Sequence, residues 1–205
     1  MRWIAALFII LAMPVTVCGE PDVSHPSVET LPESSPLVSA ARARVGTTLF
    51  YDPAYVGLDY PDGDVADDRG VCSDVVIRAF RSAHALDLQK AVHEDMRAAF
   101  SAYPDNWGLS RPDRNIDHRR VPNLETWFAR QGWELTLSDN PDDYLPGDVV
   151  TFRLGNRLPH IGIVSDRKTT DGVPLLIHNI GAGTREEDAL FAYPMEQRFR
   201  RADNG

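Results

Sequence analysis

The chain has 205 residues, 43% hydrophobic and 25% charged, a composition that fits one globular core and excludes a collagen-like or wholly disordered chain. Thirty Asp and Glu against 21 Lys and Arg leave a formal charge of −9, which argues against a phosphate-backbone partner, so no nucleic acid is expected. No internal repeat is visible.

Arg2, the uncharged run IAALFIILAMPVTV and the small residues before Glu20 read as a secretory signal peptide over 1–19. The apolar run is short, and Pro14 is too central, for a membrane span. Acylation of Cys18 is the competing reading, weakened because Val17 stands where a lipobox usually has Gly, Ala or Ser. A periplasmic or secreted protein is expected, with membrane attachment only if Cys18 carries lipid. Residues 20–36, EPDVSHPSVETLPESSP, read as a flexible tether, which contains His25. Residues 37–205 read as a single domain, expected to be monomeric.

A first helix is expected over about 37–49, with Leu37, Ala41, Val45 and Leu49 on one face. The next stretch, FYDPAYVGLDYPDGDVADDRG, is too rich in Pro, Gly and Asp for a helix and forms a long loop leading to Cys72. From Val71 the pattern turns helical: Cys72, Val75, Val76, Ala79, Phe80 and Ala83 share a stripe, with Cys72 in the first turn. DLQKAVHEDMRAAF is a second amphipathic helix, with His93 beside its apolar stripe. A polar, Pro-containing loop follows, and then the short helix VPNLETWFARQG, which Gly132 can stop. After it the period becomes two, in WELTL, DVVTFRL, HIGIVSD, PLLIHNI and MEQRFRR. Helices first and strands second predict an α+β domain, N-terminal helices packed on a small antiparallel sheet.

The two cysteines are Cys18 and Cys72, so a processed chain keeps one thiol. An unpaired cysteine in an exported protein suggests a reactive thiol, while a small buried hydrophobe is the competing reading. His160 and His178 occupy short strands joined by RKTTDGVP, which resembles a hairpin connection. A Cys-bearing helix packed on that sheet could meet both imidazoles. This set suits nucleophilic acyl transfer: Cys72 as nucleophile, His160 as base, His178 as the group that orients the base. Three zinc ligands remain an alternative, although no close Cys–His or His–His pair has typical ligand spacing. No metal or other cofactor is expected on the main reading. His84 ends a helix and is a weaker candidate.

The order of a helix-heading Cys, LPGDVV, HIGIV and a polar residue on the next strand resembles the NlpC-type cysteine peptidases of the papain-like superfamily. More closely, GVCSDVVIRAF, VHEDM, NIDHRRVPNL, PGDVV, HIGIVSD and IHNIG resemble the bacterial domain-of-unknown-function family 1287, which is related to that superfamily. These motifs span about residues 40–200. The resemblance implies a papain-like NlpC-type domain with Cys72, His160 and His178 as catalytic residues, acting on amide bonds of peptidoglycan stem peptides as an amidase or endopeptidase. NlpC-type enzymes typically carry Asp-Cys-Ser-Gly at the nucleophile, whereas here Val71 precedes Cys72 and Asp74 follows Ser73.

Ser73 and Asp74 are expected to contact substrate. His118, Arg119 and Arg120 could bind a carboxylate, of which peptidoglycan stems have many, although internal ion pairs would use the same arginines. Tyr55, Tyr60 and Trp107 could line a groove. A non-catalytic periplasmic or wall-binding protein with an idle site is the alternative from another class.

Overall fold

The computed structural model describes residues 35–202. The expected signal peptide and residues 20–34 of the expected tether lie outside that range. Pro36, placed at the end of the tether, instead opens helix α1, Pro36–Arg42.

The domain mixes helices and an antiparallel sheet, as the α+β reading expects. After α1 come two short parallel strands, β1 (Phe50–Tyr51) and β2 (Arg69–Gly70). Three helices follow: α2 (Cys72–His84), α3 (Leu88–Ala98) and α4 (Val121–Arg130). The sheet strands are β3 (Glu134–Leu135), β4 (Val149–Leu154), β5 (Leu158–Lys168), β6 (Pro174–Asn179), β7 (Thr184–Glu187) and β8 (Met195–Phe199). Their spatial order is β3-β8-β4-β5-β6-β7, every neighbouring pair antiparallel. The β5–β6 connection is the expected hairpin, closed at Lys168 and Pro174 with Thr169 N–H donating to the Val173 carbonyl at 2.8 Å.

Strand alternation divides the core in two. Ile161, Ile163 and Ile177 pack with the helices, in a cluster that includes Phe80, Leu88, Leu124, Phe128 and Phe199. Phe80, Phe128 and Trp133 stack there with centroids 5.5–5.8 Å apart. Truncating one of the two buried phenylalanines to Ala should cost about 3–5 kcal/mol. Val164 and Leu176, on the opposite face, join Tyr144, Val150, Phe152 and Leu190 in the second cluster. His160 and His178 alternate with Ile161 and Ile177, so they share the face of Val164 and Leu176 rather than the helix face.

Two expectations change here. The first helix ends at Arg42, not near 49, because Arg44 and Val45 turn tightly on the carbonyls of Ala41 and Arg42, and Gly46 takes φ of 78°. Only Leu37, Val38 and Ala41 of α1 are buried, while Val45 and Leu49 are exposed. The strand-period reading also missed β1, β2 and β7. Gly132, with φ of 73°, terminates the α4 turn as its position predicts.

Candidate active site

Cys72 is the first residue of α2. Val71 has no side-chain oxygen to cap that helix, and Asp74 compensates, its Oδ2 accepting from the Val71 N–H at 2.6 Å. Asp74 also receives both arms of Arg119, Nε to Oδ1 and Nη2 to Oδ2, each at 2.9 Å. The same guanidinium donates to the carbonyls of Ala54 and Asp52 at 3.1 Å. Ser73 Oγ donates to the Arg119 carbonyl at 2.7 Å. Three side chains therefore fasten the turn Asp117–Arg119 and the loop after β1 onto the head of the cysteine helix. From the other side, Asn179 Nδ2 donates to the Gly70 carbonyl at 3.1 Å, tying the end of β6 to the approach to Cys72.

The Cys72 thiol is 4% exposed and borders a cavity of about 220 Å³ lined by Tyr51, Pro53, Val71, Ile116, Val121 and Pro159, among others. The backbone N–H of Ile161 donates toward its sulfur. The thiol thus meets β5 at the backbone, one residue beyond His160. Burial pushes its pKa up to about 12, opposed by the amides of Ile161, Ser73 and Cys72 itself and reinforced by Asp74.

On the sheet, His160 Nε2 lies 2.7 Å from His178 Nδ1, and His178 Nε2 lies 2.9 Å from Glu187 Oε1. Burial holds both imidazoles neutral: His160 falls to about 3, with His178 contributing, and His178 falls as well, although Glu187 opposes the fall. The hydrogen positions follow. A carboxylate accepts and does not donate, so His178 carries its proton on Nε2 and accepts at Nδ1. His160 must then donate from Nε2, which leaves the lone pair on its Nδ1. The preceding residue on β7, Glu186, receives Arg42 of α1 at 3.0 Å and 2.7 Å.

Among the described residues no hydrogen bond joins Cys72 to either imidazole. The helix was expected to present its cysteine directly to the two histidines; instead the sulfur sits on the Ile161 amide while the imidazoles project toward the other face. The facing nitrogens of His160 and His178 are hydrogen-bonded at 2.7 Å, too close to admit an ion between them. No group of three His, Cys, Asp or Glu side chains among the described residues is placed to hold a metal ion.

Residues 38–201 match the family model described as a domain of unknown function, DUF1287. The chain belongs to the DUF1287 family. It is also similar to the uncharacterized protein YijF of Escherichia coli (strain K12), with 60% identity over 164 residues that cover 80% of each chain.

Within this DUF1287 domain the expected substrate-binding residues divide sharply. Ser73, Asp74 and Arg119 are buried and hydrogen-bonded to one another or to backbone, and Arg119 also borders the Cys72 cavity. His118 is 2% exposed, and burial beside Arg119 lowers its pKa to about 4, so it is a neutral interior residue. Arg120 pairs with Asp117 at 2.9 Å and lies 4.1 Å over the Trp107 ring, in a separate cavity of about 450 Å³. Tyr60 packs edge-on against His93 at 5.2 Å, and Tyr55 donates to Asp113 at 3.0 Å.

Two site residues escaped the sequence reading. Glu187 lies on a four-residue strand, TREE, whose charges carry no strand signal. Tyr51 lies on a two-residue strand inside a stretch read as loop, and borders the Cys72 cavity. Burial, with Cys72 and Asp74 nearby, raises the Tyr51 pKa and keeps its hydroxyl a donor.

Proposed function

We propose that this DUF1287 domain is a cysteine hydrolase of amide bonds, with an NlpC-type, papain-like arrangement of Cys72, His160 and His178. One observation carries the reading: the sulfur of Cys72 rests on the amide of Ile161, and the next residue back, His160, heads a hydrogen-bonded chain through His178 to Glu187 that leaves the lone pair on its Nδ1.

At rest both thiol and imidazole are neutral, so the proton moves as substrate reacts. The thiol proton passes through an intervening water to His160 Nδ1 while the sulfur bonds to the scissile carbonyl carbon, since a general base can act across one water. Negative charge gathers on the carbonyl oxygen. The Cys72 N–H, a first-turn donor of α2, and the Tyr51 hydroxyl are the available groups to receive it. The C–N bond then breaks, the amine leaves with the proton from His160, and a thioester remains on Cys72. Water attacks that thioester with His160 again accepting a proton. The S–C bond breaks, the thiolate regains the proton, and a carboxylic acid departs.

The substrate class comes from the NlpC resemblance together with the expected export signal: peptide bonds of peptidoglycan stems, outside the cytoplasm. Purified sacculi incubated with the wild type should release soluble fragments, and Cys72→Ala should release none while keeping the wild-type unfolding midpoint. Undiminished release by Cys72→Ala would refute the assignment. Mass analysis of the fragments separates an amidase, cutting between sugar and peptide, from an endopeptidase, cutting within the stem.

A further inference from the structure

We infer that Arg111 and Arg114 form a subsite for a substrate carboxylate, in a pocket beside the Cys72 cavity. The inference rests on the hydrolase reading for the identity of the substrate, though not for the existence of the pocket.

Other arginines of the helices and their connecting turns are already paired. Arg119 holds Asp74 at 2.9 Å, Arg120 holds Asp117 at 2.9 Å and Arg130 holds Asp95 at 2.6 Å. In a chain with thirty acidic residues such pairing is the common outcome. Arg111 and Arg114 differ: among the described residues neither has a carboxylate partner within salt-bridge distance, and both line one pocket of about 560 Å³. Arg114 also sits 5.8 Å over the Tyr60 ring, which braces it without neutralising it.

The other walls suit an anion. Asn115 and Tyr55 line the pocket, and so does His93, whose buried Nδ1 has no hydrogen-bond partner among the described residues. Asp113 is the opposing charge, and its oxygens accept from the Tyr55 hydroxyl at 3.0 Å and the Asn115 N–H at 2.9 Å. Two guanidinium groups against one occupied carboxylate leave the pocket positive in an acidic protein. A carboxylate is the matching ligand, since guanidinium groups bind it through paired, charge-assisted hydrogen bonds.

Position links this pocket to the reaction. Pro53 borders the Cys72 cavity and Tyr55 the arginine pocket; Ile116 borders the first and Asn115 the second. The two cavities border the same two loops, and a short peptide lying along them would place its scissile carbonyl at Cys72 and a side carboxylate at the arginines. The two loops are pinned together, with Leu58 N–H donating to Asn115 Oδ1 at 2.9 Å and Asn115 Nδ2 to the Tyr55 hydroxyl at 3.0 Å. The pocket is therefore held in place rather than assembled by the ligand.

The test uses the full chain and the stem tripeptide L-alanyl-γ-D-glutamyl-meso-diaminopimelate, with its carboxylates free or amidated. In a Cys72→Ala background, calorimetry should show the free acid bound about tenfold more weakly after Arg111→Ala/Arg114→Ala, with little change for the amidated peptide and a loss of discrimination in high salt. In the active chain the same double substitution should raise KM with kcat within about twofold. Equal binding of the free acid by both chains, or no binding by either, overturns the subsite. Arginine-dependent binding without any cleavage by wild type upholds the subsite and fails the hydrolase reading; cleavage with KM unchanged by the double substitution does the reverse.

Discussion

The head of the cysteine helix and the strands beside it, here the helix wall and the sheet wall, use polar groups in opposite ways. On the helix wall, Ser73, Asp74 and Arg119 satisfy one another and the backbone of two loops, so the charges cancel in place. On the sheet wall, Glu187, His178 and His160 pass a hydrogen bond along a line and leave a free lone pair at its end. A closed set of partners fixes geometry; an open chain of partners fixes a protonation pattern. On the proposed hydrolase reading, the first is the scaffold of the site and the second its chemistry.

The sharpest way to break this contrast is through the helix wall. Arg119→Ala leaves the buried Asp74 without its partner, which should destabilise the domain by about 3–5 kcal/mol, measured by urea unfolding. A variant that kept full stability but bound peptide poorly would move Arg119 into the ligand site.

Acid offers the next largest effect. His118 titrates near 4 when folded against an ordinary 6.5, so its contribution to stability is complete above about 6.5 and is lost as pH falls toward 4, amounting to roughly 3 kcal/mol. His160 and His178 are lowered too and act in the same direction. The unfolding free energy should fall between pH 7 and pH 4, with a shallower slope in His118→Gln. Identical slopes in the two chains would show that His118 does not drive the loss.

Glu187→Gln is the gentlest probe, and it reads the sheet wall. Removing the carboxylate takes away the influence that holds the His178 pKa up against burial. The acid limb of the kcat/KM profile should therefore move to lower pH, with kcat reduced about tenfold and unfolding little changed. A loss of rate with an unmoved limb would make Glu187 a packing residue.

Much of this arrangement is legible in the sequence because burial writes a period. Cys72 shares a helical stripe with Val75, Val76 and Phe80, and His160 and His178 sit in strands whose alternate residues are apolar. What is hidden has no period to carry it. β7 is an edge strand of charged residues, and β1 is two residues long, so Glu187 and Tyr51 pass for loop. The insertion of β8 between β3 and β4 depends on pairing across the whole domain, which local pattern does not encode. The arginines are the clearest case. Arg119 and Arg120 stand out beside His118, yet their acid partners lie at Asp74, 45 positions away, and at Asp117, while Arg111 and Arg114 carry no mark of being unpaired. Whether a charge is neutralised is a property of the fold.

The central claim, that Cys72 is the nucleophile served by this histidine chain, is tested most directly by titrating the thiol. The wild-type chain lacking residues 1–19 has one cysteine, so iodoacetamide modification can be followed by intact mass while hydrolysis of a stem peptide is measured on the same samples. The account predicts that activity falls in step with the modified fraction and vanishes when every Cys72 carries the label. A fully labelled chain that still cleaves at the original rate would contradict it.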